Sequence, residues 1–268
     1  MYKSYSMELA GRTLTVDIGR VAAQANGAVF IKYGDTTVLS TATASDKPRD
    51  GVDFFPLSVE FEEKMYSVGK IPGGFNKREG KASENAILTD RVIDRPMRPL
   101  FPKDYRNDVT LNNLVMSVDP ECRPEIVAMI GTALAVHISD IPFDGPCAMT
   151  QMGLVDGEFI VNPSQKQWDE GDLQLTVAST KEKVIMIEAG ANEIPEDQMI
   201  EAIYKCHDIN QTVSHLWIRS VMRLASQSMS MRAVLFRSRC LRISRKLLLL
   251  SRWRRQYSQM RSRSVRKI

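Results

Sequence analysis

The chain has 268 residues, 43% hydrophobic and 25% charged, which is enough for one or two sizeable cores and too apolar for a wholly disordered protein. No uninterrupted apolar run approaches the roughly 20 residues needed to cross a bilayer, so no transmembrane helix and no membrane partner are expected. The net charge of +4 hides a division: residues 1–208 carry 21 Lys+Arg and all 32 Asp+Glu, a formal −11, whereas 209–268 carry 15 Lys+Arg and no acid.

The first fifteen residues include Glu8 and Arg12 and lack a continuous apolar stretch of signal-peptide length, so a cytoplasmic protein is expected. Residues 28–32 and 36–43 are β-rich runs around Tyr33-Gly34-Asp35, and are predicted to form a hairpin. Residues 56–61 alternate apolar and polar side chains, the pattern of a half-buried strand. An anchorless loop is predicted next, because 66–80 holds four glycines, Pro72 and the basic residues Lys70, Lys77 and Arg78. Ser83-Glu84 opens a helix with Ala86, Ile87, Val92 and Ile93 on its apolar side, and Pro96 is expected to stop it.

Residues 109–118 are predicted as a strand, followed by a helix over 125–138 that is apolar almost all round and therefore interior. Asp156-Gly157 marks a hairpin between 149–155 and 159–161, and Thr180-Lys181-Glu182-Lys183 another between 173–178 and 184–187. Pro195-Glu196-Asp197 then starts a helix with Met199, Ile203 and Cys206 on one face. The fold class is α/β (α+β), mixed β-sheets with packed helices. Cys122, Cys147, Cys206 and Cys240 are far apart without CxxC spacing, so reduced thiols are expected.

Two domains of unlike chemistry follow from composition, 1–208 and 209–268. The second has no Gly, Pro or acid, with 13 Arg and 11 Ser, and shows no sustained helical stripe. It reads as a disordered or frame-shifted stretch, or as a basic arm for nucleic acid.

Ile71-Pro72-Gly73-Gly74-Phe75-Asn76-Lys77-Arg78-Glu79-Gly80 and Ile93-Asp94-Arg95-Pro96-Met97-Arg98-Pro99-Leu100-Phe101-Pro102 strongly resemble the first RNase PH-like domain of bacterial polynucleotide phosphorylases. Asn26-Gly27-Ala28-Val29, Tyr33-Gly34-Asp35-Thr36, Asp53-Phe54-Phe55-Pro56-Leu57 and the stretch 188–196 resemble the same family in the same order, and the similarity stops near Thr212. The resemblance implies an RNase PH-like domain over 1–208, related to the ribosomal protein S5 domain 2-like fold. It implies 3′-to-5′ phosphorolysis of single-stranded RNA, with inorganic phosphate as co-substrate and nucleoside diphosphates released. It further implies Mg2+ held in a second such domain, homotrimeric rings, and RNA-degradation partners. A helical linker in the family follows the first domain, and 209–268 stands in its place, so a truncated product is expected.

Phe75, Asn76, Lys77 and Arg78 are the leading RNA-binding candidates: the cations pair with phosphate while the ring stacks on a base. In the family this loop lines a channel constriction and commonly carries a second aromatic and a second arginine, where this chain has Asn76 and Lys77. Arg91, Arg95 and Arg98, spaced four and three apart, share a face if the helical path survives Pro96. Two readings stay open for them, contact with RNA phosphates or pairing with Asp90 and Asp94.

No catalytic or metal-binding residue is expected in this domain. In the family's active second domain, glycine and serines at the start of the core helix bind phosphate, where this chain has Asp119-Pro120-Glu121-Cys122-Arg123-Pro124-Glu125. A second block pairs two aspartates with a lysine, where this chain has Asp172-Leu173-Gln174-Leu175-Thr176, with one carboxylate and a neutral threonine. His137 is expected to be a core histidine rather than a general base. The competing readings are an RNA-holding half of a phosphorolytic enzyme, a stand-alone RNA-binding protein acting through the basic stretch, and an inactive truncated product.

Overall fold

The protein is described by a computed structural model that places residues 2–228, with side chains to His215. Backbone contacts gather Met1–Ser220 into one compact unit. Of the other unit, Val221–Ile268, the described part is the last turns of one helix. The expectations for 229–268 lie outside the described residues.

The first sheet is built from β1 (Lys3–Leu9), β2 (Arg12–Ile18), β3 (Gly27–Tyr33), β4 (Thr36–Ala44), β5 (Leu57–Glu63) and β6 (Val109–Ser117), in the order β1-β2-β3-β4-β6-β5. All its pairs are antiparallel except β5 with β6, which pair in parallel with Leu57 opposite Val109. The predicted β3–β4 hairpin forms, pairing Tyr33 with Thr36. A further hairpin, β1–β2, turns through Ala10 and Gly11, whose φ values of +49° and +75° give the double left-handed turn that matches strand twist.

Between β5 and β6 lies α1 (Glu84–Met97), capped by Ser83 Oγ, which accepts from the Ala86 N–H at 3.1 Å. Pro96 does not stop it. The proline occupies the last turn, and a 3-10 turn carries the path on through Arg98–Leu100. The missing N–H therefore costs a single bond beside an end where the helical ladder is already giving way.

After β6 the chain enters α2 (Pro124–Ile138), buried without a break from Ile126 to Val136. It packs on β3, β4 and β6 and also meets β7 (Ala148–Val155) of the second sheet. The second sheet has the order β10-β9-β7-β8, with β8 (Glu158–Val161), β9 (Leu173–Ser179) and β10 (Val184–Ala191). A short helix absent from the sequence reading, α3 (Gln165–Glu170), connects β8 to β9.

Gly27 explains how closely α2 lies on the first sheet: a Cβ there would sit 2.1 Å from the Ala135 carbonyl oxygen. At the centre of this contact, Asn113 Oδ1 accepts from Ser40 Oγ at 2.7 Å and from Thr132 Oγ1 at 2.6 Å, which satisfies two buried hydroxyls with one acceptor.

The helix α4 (Glu196–Ser228) packs Ala202 and Cys206 against Met152, Leu154, Leu173, Leu175 and Val177. It continues past Asp208, with Asn210, Val213 and Ser214 buried. Asn210 accepts from Thr150 Oγ1 at 2.8 Å and donates to the Val177 carbonyl at 3.1 Å. The compositional boundary at 208 thus falls inside a packed helix, and the expectation of no helical stripe fails for its first residues. Among the described residues no helix is long and apolar enough to cross a membrane.

Candidate nucleic-acid interface

Residues 64–83 leave the end of β5 and return to the start of α1. Met65–Val68 form a 3-10 turn tied to the strand layer by the Val118 N–H, which donates to the Ser67 carbonyl at 3.3 Å. Beyond it, 73–80 are all exposed. Phe75 and Asn76 are the central residues of a turn closed by Lys77 N–H donating to the Gly74 carbonyl at 3.0 Å. Lys77 then takes φ +50°, a conformation uncommon for a residue with a side chain. The result is a tip on which the Phe75 ring stands fully in solvent, buried against nothing.

A fully exposed phenyl ring is unfavourable to leave in water and well suited to stacking on a base. No ion pair or hydrogen bond engages the side chains of Lys77 or Arg78 within the described residues, so both cations are available to phosphate oxygens. The other three candidate arginines divide. Arg98 donates to both Asp94 oxygens, at 3.0 and 2.7 Å, and to the carbonyls of Phe55 and Leu57 at 3.1 and 3.2 Å. Four donated bonds make it a brace between α1 and the start of β5. Arg95 pairs with Glu188 of β10 at 2.8 Å. Arg91 is exposed on the same side of α1 and carries no such bond among the described residues. The helical path brings the three together as spaced, but only Arg91 presents an unengaged charge.

Asp90 pairs with none of these arginines. One carboxyl oxygen accepts from the Phe61 backbone N–H while Oδ1 is buried without a partner. Burial, with the neighbouring charge of Glu60, pushes this carboxyl up to about 7.

Beside the loop lies a cleft of about 930 Å3 between β5, the loop's returning leg, α1 and the start of α2. Seven acidic and three basic residues line it, a formal −4 that repels phosphate. Of the two sequence blocks set against a phosphorolytic centre, the one over 119–125 borders this cleft, and the one over 172–176 is not part of its lining. At the α2 N-terminus, where helix geometry would otherwise welcome an anion, Pro124 occupies the first turn and Glu125 supplies the anion itself, 3.6 Å from Arg123. The Glu121 backbone N–H bonds Asp119 Oδ1 at 3.0 Å and holds that carboxyl below the usual range, so it remains charged. Burial and then the charge of Glu125 raise the Glu63 carboxyl.

From the second block, Thr176 Oγ1 accepts from Gln151 Nε2 at 3.3 Å, and Gln151 Oε1 accepts from Arg123 at 3.1 Å. Arg123 also lies over the Trp168 ring, 4.4 Å from its centre. An internally bonded chain from the Arg123 cation through Gln151 to Thr176 therefore joins the two blocks. The family's Mg2+ does not fit these residues: Asp172 is a lone exposed carboxylate, Glu62 is paired with Lys64, and Glu125 with Arg123. Among the described residues no three His, Cys, Asp or Glu side chains gather as a metal site. His137 is half-buried at the end of α2, and burial lowers its pKa. Gln151 and Trp168 were not read from the sequence, and neither carries a local signal of its role.

The model of the 3′ exoribonuclease family, domain 1, matches residues 10–142, and that of its domain 2 matches 145–206. The polyribonucleotide nucleotidyltransferase of Lachnoclostridium phytofermentans is 78% identical over 213 residues, covering 80% of this chain and 30% of that protein. The chain belongs to the polyribonucleotide nucleotidyltransferase family. Another member, from Ruminiclostridium cellulolyticum, is 62% identical over 208 residues, again 30% of its length. Among solved structures, rice Rrp46 superposes with a TM-score of 0.63 over 78% of this chain and 94% of its own, at 12% identity, which shows the RNase PH-type fold. This polyribonucleotide nucleotidyltransferase-family chain thus spans about 30% of the length of the curated relatives it matches. The family is one of phosphorolytic exoribonucleases.

Proposed function

We propose that the described domain holds single-stranded RNA for 3′-to-5′ phosphorolysis and is not itself the site of phosphoryl transfer. The observation that carries this reading is the Phe75 tip, a fully exposed aromatic ring with the unengaged cations Lys77 and Arg78 just beyond Asn76. Stacking on such a ring tolerates any base, as an exonuclease working along a strand requires. The neighbouring cleft supports the second half of the reading, since its acids and its Arg123–Gln151–Thr176 chain leave neither an anion-receiving helix start nor a metal-binding group of carboxylates. Inorganic phosphate and Mg2+ then act elsewhere in the assembled enzyme, which in this reading is a cytoplasmic homotrimer.

The test compares RNA binding by the chain with that of a Phe75→Ala, Lys77→Ala, Arg78→Ala variant, using a labelled single-stranded RNA at fixed salt. Losing one stacked base, at about 1–3 kcal/mol, predicts about 5- to 150-fold weaker binding. Unchanged affinity would move the binding to the basic stretch after Asp208 and sink the proposal.

A further inference from the structure

We propose that Glu79 is a positioning residue that clamps the neck of the 70–79 loop and so holds the Phe75 tip in its RNA-ready conformation; this rests on the RNA-holding reading above. The ten residues from Lys70 to Glu79 leave and return at one point. Lys70 N–H donates to the Met65 carbonyl at 2.9 Å, and Met65 N–H donates to Glu79 Oε1, also at 2.9 Å. Both backbone groups of Met65 are therefore spent on closing the same loop. Met65 is itself fixed, because its 3-10 turn is bonded to Val118 through Ser67.

Among the described residues nothing else closes the neck. Every residue of 71–79 is exposed except the half-buried Pro72, and the backbone bond within this stretch is the tip turn of Gly74 and Lys77. The returning leg is next held at Ser83, whose hydroxyl donates to Glu63 Oε2 at 3.3 Å and caps α1. Without the Glu79 bond the free span grows from the ten residues 70–79 to the fourteen residues 70–83. More conformations then compete with the one in which ring and cations face the same strand.

Electrostatics alone predicts the opposite sign. Glu79 adjoins Arg78, and a carboxylate there repels RNA phosphates, so removing its charge should tighten binding. A clamp predicts weaker binding when the hydrogen-bond acceptor is lost and no weakening when only the charge is lost. The experiment therefore uses Glu79→Ala and Glu79→Gln in the full chain, reading affinity for a labelled single-stranded RNA and amide hydrogen exchange over 65–80, with the melting temperature confirming that each variant folds.

Glu79→Ala is expected to speed exchange over 65–80 and to weaken RNA binding several-fold. Glu79→Gln, whose Oε1 still accepts from Met65, is expected to keep slow exchange and to bind at least as tightly as the unmodified chain. Unchanged exchange in Glu79→Ala overturns the proposal, and so does RNA binding in that variant as tight as or tighter than the unmodified chain's. If the Phe75, Lys77 and Arg78 triple variant binds RNA normally, the RNA-holding reading fails and takes the RNA part of this proposal with it. The exchange arm then still decides whether Glu79 closes the neck.

Discussion

The loop tip and the cleft lie side by side, sharing Glu79 and Gly80 at the border, yet they are opposites in every physical respect. At the tip an aromatic ring and two cations are exposed, and few bonds fix them. In the cleft the charges are mostly acidic, and Arg123 on its lining donates to Gln151, which in turn donates to Thr176, and faces Glu125 at 3.6 Å. In the reading proposed above, a surface that grips a passing strand keeps its groups unspent, whereas Arg123 of the cleft is engaged by internal partners. That reading places RNA contact at the loop tip rather than in the cleft.

The comparison can be broken most sharply at the packed side. Gly27→Ala drives a Cβ into the Ala135 carbonyl of α2, the helix whose start forms one wall of the cleft. Overpacking against backbone should cost about 3 kcal/mol of stability in a denaturant titration. RNA affinity of the folded fraction should be unaffected, because the loop does not lean on that helix.

On the loop side, the contributions of ring and cations separate by salt dependence. Lys77→Ala with Arg78→Ala should reduce the slope of log affinity against log salt by roughly 1.4, about 0.7 for each phosphate no longer contacted. Phe75→Ala should weaken binding at every salt concentration and leave the slope alone. A slope unchanged by loss of both cations would separate them from RNA.

The smallest effect concerns Asp90, one of the acids lining the cleft. Its carboxyl titrates at about 7 in the folded chain against 3.8 in the unfolded one, so between these values the folded state binds the extra proton. Stability contributed by the neutral form is complete below about pH 4 and is lost as pH rises toward 7. Asp90→Asn should therefore stabilise the protein at about pH 8, by about 1 kcal/mol, well under the full linkage value because the residue is only half-buried. The gain should vanish below about pH 4, which thermal unfolding across pH would show.

Sequence and structure agree where the signal is local. The Asp156-Gly157 hairpin follows from turn chemistry, and the burial of α2 from a stretch with no polar face. The motif around Phe75 identified the tip, since a glycine-rich basic loop has no means of burying a lone aromatic. The β1–β2 hairpin escaped because β1 alternates half-buried with exposed residues before an unremarkable Ala-Gly turn. The helix α3 escaped because it is six polar residues long, although its Ser164–Gln167 capping box was there to be read.

What no local pattern carries is partnership between distant segments. Examples are the parallel pairing of β5 with β6, Arg98 reaching back to Phe55, and Glu79 to Met65. The boundary at 208 misled for a related reason. A change in charge composition marks a change of chemistry, but Asn210, two residues beyond it, is held by Thr150 and Val177 from the second sheet.

The central claim is that this domain holds RNA without cleaving it. The direct measurement supplies the purified chain with a labelled single-stranded RNA, inorganic phosphate and Mg2+, and quantifies both bound RNA and released nucleoside diphosphates. Bound RNA with no nucleoside diphosphate, and binding lost with the Phe75, Lys77 and Arg78 triple variant, is the predicted result. Release of nucleoside diphosphates that disappears on Arg123→Ala would place the chemistry in the cleft and contradict the account.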